Sequence, residues 1–263
     1  MRTFAVAAIV VALTLSGCTP QPGVALPSTD AVVDYQLGGG YDPAAGIDGV
    51  VRDSTDQPAP GLYSVCYING FQSQPADRDL WLRERADLVL TRDGAPVIDE
   101  NWPDELIFDI STAANRTEIA RLLDPVFARC ADAGFDAVEI DNLDSYTRSD
   151  GALDEDDALE LARLFVRAAH ERSLAIAQKN AAELVSRGRD AGFDFAVTEE
   201  CQRFDECAGY TAHYDVVIDI EYADDLRGDI AGVCADPQIP TSPIVRDRDL
   251  VTPSDAGYVF ASC

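Results

Sequence analysis

The sequence predicts an α/β protein, a (β/α)8 barrel, and three observations lead there. The 263-residue chain is 47% hydrophobic and 25% charged, which suits one large globular domain. Short apolar segments alternate with helical or irregular stretches, the pattern of parallel βαβ units. About eight such units fit into roughly 240 residues, as a barrel requires.

The N-terminus stands outside that domain. Arg2 precedes an apolar run from Phe4 to Leu15 that is too short to span a membrane, so residues 1–17 read as a secretory signal. Leu15-Ser16-Gly17-Cys18 resembles the lipobox of bacterial lipoproteins, in which cleavage leaves a lipidated cysteine. Cys18 is the expected lipidation site, residues 18–33 a Pro-rich tether, and 34–263 the domain. The expectation is an exported protein anchored to the outer face of the cell membrane. An ordinary signal peptide with a chance cysteine would give a secreted one.

The expected barrel strands are DYQLGG near 34, GLYSVCYIN near 65, LIFDI near 108, AVEIDN near 139, AIAQKN near 177, DFAVTEE near 197, VVIDIEY near 219 and SPIVRD near 245. Segment 42–60 holds a short GVVRD strand and a Pro-rich loop with no room for a helix before the strand at 62, an abbreviated first β/α unit. LVLTRDGAPVI, near 88–98, predicts a hairpin insertion turning at Asp93-Gly94 on the loop face. Pro125 is expected to divide 116–132 into two helical pieces. Residues 154–171 predict the clearest helix, with Leu161, Leu164, Phe165, Ala168 and Ala169 at helical spacing. Its opening acids, Asp154 to Asp157, suit a helix N-terminus and need no metal. DNLDSYTRSDG fails as a calcium loop, because Leu143 cannot ligate.

Composition narrows the function. A net charge of -27 repels nucleic acid and anionic lipid, so any charge-steered partner is a cation. Cys66, Cys130, Cys201, Cys207, Cys234 and Cys263 are disulfide candidates in an exported chain, with roughly 15 pairings open and Cys201–Cys207 the preferred single pair. No C-x-x-C occurs and only His170 and His213 are available, so no metal is expected. Both histidines suit packing or capping. LGGGYD lacks the spacing of a nucleotide-binding loop, and no cofactor is expected.

Side chains alternate along a strand, so parity decides which residues share a face. Val138 and Ile140 face opposite to Glu139 and Asp141; Val216, Ile218 and Ile220 face opposite to Asp219 and Glu221. Barrel strands need an apolar outer face, so these acids are expected to point inward near the C-terminal mouth, where barrel enzymes place their chemistry. The same logic adds Asp109, Lys179, Glu199 and Arg246. Singly, each is as well explained by a salt-bridge layer closing the barrel; clustering at successive strand ends favours a site. Paired carboxylates without metal or cofactor suit glycoside hydrolysis, one as acid and one as nucleophile or base. Tyr35, Tyr67, Trp102, Tyr146 and Tyr222 could stack on sugars, though such aromatics more often pack.

The ordered series DYQLGGGYD, CYINGFQSQP, WPDELIFDI, GFDAVEIDNLDSY, AQKN, GFDFAVTEECQRFDEC and IEY resembles the TIM-barrel glycoside hydrolase family 114, the endo-α-1,4-polygalactosaminidases, from about Asp34 to Cys263. The resemblance implies hydrolysis of internal α-1,4 links in galactosamine-containing polymers, with retention. It places Asp141 at the catalytic aspartate and Glu199 at the catalytic glutamate, with Glu200 a second choice of opposite parity. Asp141 is assigned as nucleophile and Glu199 as acid/base. Glu139, Lys179, Asn180 and Glu221 would orient them or bind sugar, with Tyr35, Gln36, Tyr67, Asp109, Asp144, Tyr146, Glu200, Tyr222 and Arg246 as further substrate-binding candidates. Two departures stand out: the short segment 42–60, and TEEC where NEQC is common, which exchanges an amide for Thr198 and adds a charge at Glu200. The expected partner is a cationic, partly deacetylated aminosugar polymer, met by a monomer. The alternatives are a silent lipoprotein that binds cationic glycans, and a hydrolase of another surface polysaccharide.

Overall fold

The computed structural model describes residues 23–263; the signal segment and Cys18 lie outside the described residues. Eight parallel strands form one curled sheet in chain order: β1 (Val33–Tyr35), β2 (Gly49–Asp53), β3 (Tyr63–Asn69), β4 (Ala137–Asp141), β5 (Ala175–Lys179), β6 (Phe195–Glu199), β7 (Val217–Tyr222) and β8 (Ile244–Arg246). A ninth strand, β9 (Phe260–Ser262), adds antiparallel to β8. The architecture is the expected barrel, with one exchange of strands. GVVRD is the second barrel strand, and no helix separates β1, β2 and β3.

LIFDI is not a barrel strand. Leu106, Ile107 and Phe108 make single antiparallel bridges to Ile98, Gln72 and Val89, within the long connection from β3 to β4. An apolar run of this length is buried equally well by a barrel or by an insertion, so periodicity cannot choose. The hairpin forms as expected, Thr91–Arg92 pairing with Ala95–Pro96, and the turn residues Asp93 and Gly94 both have positive φ, 52° and 81°.

Helix α1 (Arg78–Glu84) precedes the hairpin, and α2 (Ala113–Ala133) follows it. Pro125 lies inside α2 without dividing it. The missing hydrogen bond costs about 3 kcal/mol, but Ile119 is buried before the proline and Phe127 and Cys130 after it, and Cys130 is bonded to Cys66 of β3. Tertiary anchoring on both sides overrides the local break. Helix α3 (Glu155–His170) starts at Asp154 with a reciprocal capping box to Asp157, while Arg116 pairs with Asp157 and Arg187 with Glu155. Its acids are used by the helix end, as the dipole argument requires. His170 shares Asp194 with the backbone of Ile176, a structural role, and α4 (Val185–Ala191) links β5 to β6.

Two apolar layers result. Val33, Val65, Ala137, Ala177, Val197 and Ile218 fill the barrel interior. Val138, Ile140 and Ile176 face outward into a larger core with Phe127, Phe165 and Leu161. The seam between β1 and β8 is closed by side chains: Arg246, wholly buried, pairs with Asp34 at 3.1 Å and donates to the Tyr35, Val251 and Val259 carbonyls.

Candidate active site

Three adjacent strands end on the residues that build the site. β4 delivers Asp141, β5 Lys179 and β6 Glu199, and in each strand alternation turns that residue inward. The residue after each, Asn142, Asn180 and Glu200, takes a left-handed backbone with φ of 65°, 48° and 62°. This bends the chain away and leaves the strand-end side chain facing the mouth. Asn accommodates this region readily, whereas Glu200 bears a strain of about 1–2 kcal/mol. Arg248 holds Glu200 in place at 2.9 Å.

Lys179 is the centre of the arrangement, 2% exposed. Its Nζ lies 2.9 Å from Glu139, 3.2 Å from Glu199 and 3.6 Å from Asp141, and donates to the Tyr35 hydroxyl at 2.8 Å. Burial disfavours the ammonium, but the three carboxylates outweigh it and push its pKa well above the ordinary value. Burial likewise opposes ionisation of Asp141. Lys179 and the Tyr67 hydroxyl, which donates at 2.6 Å, overcome that and hold the carboxyl below its usual range. Glu199 accepts a hydrogen bond from Tyr222, while its backbone N–H donates to the Asn180 side chain at 2.9 Å.

Asp141, Lys179, Asn180, Glu199 and Glu200 line one cleft of about 920 Å³, together with Tyr35, Tyr67, Asp144 and Tyr222. Other expected residues lie elsewhere. Glu139 is fully buried beneath Lys179, bonded to it and to Tyr35 at 2.7 Å, with a carboxyl raised by burial; it anchors the ammonium. Gln36 bridges Asp34 and Arg52, and Arg246 closes the seam. Asp109 accepts from Ser111 ahead of α2, because LIFDI is not a barrel strand. Tyr146 reaches the rim only through Glu183.

The parity argument fails at β7. Ile218, Ile220 and Tyr222 point into the barrel, and Asp219 and Glu221 point outward. The cover there is no long apolar helix but α5 (Cys201–Phe204) and α6 (Cys207–Thr211), tied by the Cys201–Cys207 disulfide. Asp219 accepts from Thr198 at 2.7 Å and Glu221 from the backbone N–H of Gln202 at 2.7 Å. Each keeps one buried oxygen without a partner. Burial first, and then their mutual charge, raises Asp219 well above the ordinary carboxylate value; burial also raises Glu221. Cys201, Cys207 and Asp219 cluster as a metal site would, but the two sulfurs are bonded to each other. The remaining disulfide joins Cys234 of α7 (Ile230–Ala235) to Cys263.

Of the far wall of the cleft, the sequence alone offers only Trp102, as a sugar-stacking aromatic. Asp99, Trp102, Glu105, Asn142 and Arg148 line it, with Arg148 joined to Asp99 at 2.6 Å and to Asp144 at 3.0 Å. Reading LIFDI as a barrel strand places WPDE at the strand's N-terminal end, opposite the mouth. The bridge to Gln72 instead carries Glu105 up to the cleft.

A buried ammonium between two strand-end carboxylates, with aromatic residues around them, is suited to acid-base and nucleophilic work on a glycosidic bond. The chain is similar in fold to the Aspergillus fumigatus protein Ega3, solved in complex with galactosamine, at 20% identity and a TM-score of 0.68, covering 92% of this chain and 97% of that one. It is also similar to the glycoside hydrolase domain of PelA from Pseudomonas aeruginosa, at 14% identity and a TM-score of 0.55, covering 89% and 98%. No curated protein sequence matches it significantly. The sequence pattern of glycoside-hydrolase family GH114 matches residues 16–263, and the chain therefore belongs to that family of glycoside hydrolases.

Proposed function

We propose that the protein is an endo-acting hydrolase of α-1,4 links in a galactosamine-containing, partly deacetylated polysaccharide, with Asp141 as nucleophile and Glu199 as acid/base. The observation that carries this reading is the single ammonium of Lys179 between the two carboxylates at adjacent strand ends. Asp141, held ionised, would attack the anomeric carbon while Glu199 protonates the departing glycosidic oxygen. Water would then attack the glycosyl-aspartate ester, giving its proton to Glu199 and releasing Asp141.

Both oxygens contact one Nζ, so their separation cannot exceed those two contacts laid end to end, and any bend at Nζ shortens it. Retaining enzymes hold their carboxyls roughly 5 to 5.5 Å apart and inverting ones roughly 6.5 to 9.5 Å. Only a nearly straight arrangement of the two oxygens about Nζ would reach the inverting range, so the shared contact favours retention. Family membership, an acidic cleft and the galactosamine in the complex of the similar Ega3 structure support the substrate. Lipidation at Cys18 would hold the enzyme at the outer face of the membrane.

The test is incubation of mature protein with partly deacetylated α-1,4-galactosaminan and sizing of the products. Internal cleavage that falls at least about 10³-fold in Asp141→Asn supports the reading. Unchanged activity in that variant overturns the catalytic assignment, and cleavage only of other polymers in a glycan panel overturns the substrate.

A further inference from the structure

Glu105 is a carboxylate in the cleft that the two-carboxylate chemistry does not use. It is 8% exposed and lines the cleft wall beside Asp141. Its Oε2 accepts from Asn69 Nδ2 at 2.8 Å, and its Oε1 has no hydrogen-bond partner among the described residues. Asn69 ends β3 in register with Asp141, and its own oxygen accepts from Asn142 at 3.0 Å, so Glu105 is fastened to the nucleophile's strand end.

Most other buried or half-buried carboxylates of the cleft have a cation; Asp53, at the end of β2, accepts instead from Thr55 and Gln74. Lys179 meets Asp141, Glu139 and Glu199, Arg248 meets Glu200, and Arg148 meets Asp99 and Asp144. Among the described residues no Lys, Arg or His lies within ion-pair distance of Glu105. The groups facing it are Asn69 from β3, Asp141 from β4, Asp99 from the segment after the hairpin, and Arg148 from the turn after β4. Burial first, then Asp141 and Asp99, push its carboxyl up to about 7 against the opposing pull of Asn69 and Arg148. A desolvated carboxylate in this position lacks one thing, a cation supplied from the cleft.

We propose that Glu105 recognises the free ammonium group of an unacetylated hexosamine seated beside Asp141, and so discriminates amine from acetamido sugars. The inference rests on the aminosugar substrate proposed above and adds the residue that selects it. An ammonium completes Oε1 with a charge-assisted hydrogen bond, whereas an acetamide leaves the ionised carboxylate buried without a cation.

Steady-state kinetics on α-1,4-linked galactosamine oligomers and their fully N-acetylated counterparts tests this. In Glu105→Gln the ratio of kcat/KM, amine over acetamide, should fall about 10- to 100-fold, through KM more than kcat, and Glu105→Asp should recover part of it. In the wild type, KM for the amine oligomer should fall as pH rises towards about 7, and Glu105→Gln should lose that dependence. Equal losses on both oligomers, or an unchanged ratio, overturn the proposal. Titration of the galactosamine trimer into Asp141→Asn, with and without Glu105→Gln, reads recognition without turnover. Binding weakened about tenfold or more supports Glu105 even if the wild type cleaves neither polymer, an outcome that would remove only the proposed hydrolysis. Equal dissociation constants overturn the role of Glu105.

Discussion

Replacing Lys179 with methionine removes one charge and exposes how much of the site depends on it. At separations of 2.9, 3.2 and 3.6 Å, each carboxylate interacts with the ammonium by about 5 kcal/mol at an effective dielectric constant near 20. Desolvation of the four groups offsets most of this sum. What remains on removing one partner of a buried cluster is about 3–5 kcal/mol of lost stability, because the residual charges are left uncompensated. The deficit should depend on pH. Glu139 already has a raised carboxyl, and without Lys179 it rises further, so the folded variant keeps a proton that the unfolded chain releases above about pH 4.3. A raised folded-state pKa gives stability that is full below the unfolded value and is lost as pH rises. Urea unfolding of Lys179→Met with disulfides intact should therefore show a deficit of about 3–5 kcal/mol at pH 7 that shrinks by at least about 1 kcal/mol at pH 4.5. A deficit below about 1 kcal/mol at pH 7, or one equal at both pH values, would refute the picture of one ammonium holding three carboxylates.

Three further outcomes follow from the same geometry. Tyr67→Phe removes a hydrogen bond to charged Asp141, worth about 1.5–3 kcal/mol, so the acid limb of kcat/KM should move up by roughly 1–2 pH units; an unmoved limb would show that Asp141 does not set it. In Asp219→Asn one of the two mutually repelling buried carboxyls is gone. Since both carboxyls are raised in the folded state, wild-type stability falls as pH rises, and melting curves should show a flatter decline from pH 5 to 9 in the variant; an unchanged slope refutes the pairing. Removing Cys66–Cys130, with a sequence separation of 64, should cost about 4 kcal/mol, and removing Cys201–Cys207, with a separation of 6, about 2 kcal/mol. Urea midpoints in the reverse order would show that loop closure does not govern either bond.

The parts of the fold legible in the sequence are those with a single reading of the alternation. In AVEID, apolar Val138 and Ile140 leave only one way to place Glu139 and Asp141, whereas in FAVTE Glu199 shares its face with Phe195 and Val197, which fill the barrel interior. IDIEY offers two, because Ile218 and Ile220 suit a barrel interior as well as an outer face. What decides is the cover, here two short helices tied by a disulfide, whose backbone N–H groups, together with Thr198 of β6, serve Asp219 and Glu221. GVVRD and LIFDI were exchanged for a related reason. Flanking helices are the signal that marks a barrel strand, and β2 has none, while LIFDI precedes a long one. That single exchange hid the wall carrying Asp99, Glu105 and Arg148. Pro125 shows the limit of local rules, since a buried disulfide and flanking core residues keep α2 continuous through it.

The seam between the first and last barrel strands also bears on when activity can arise during folding. Tyr35 belongs to β1, receives Arg246 from β8 on its carbonyl, and through its hydroxyl touches both Lys179 and Glu139. The ammonium that organises the site is thus braced by a strand whose own position is fixed only when residues more than two hundred positions later arrive. Strands β4 to β6 contain the carboxylates proposed to react but cannot set them alone. A chain emerging N-terminus first acquires its chemistry at the end, when the first and last barrel strands close on each other, so an incomplete copy has no working site.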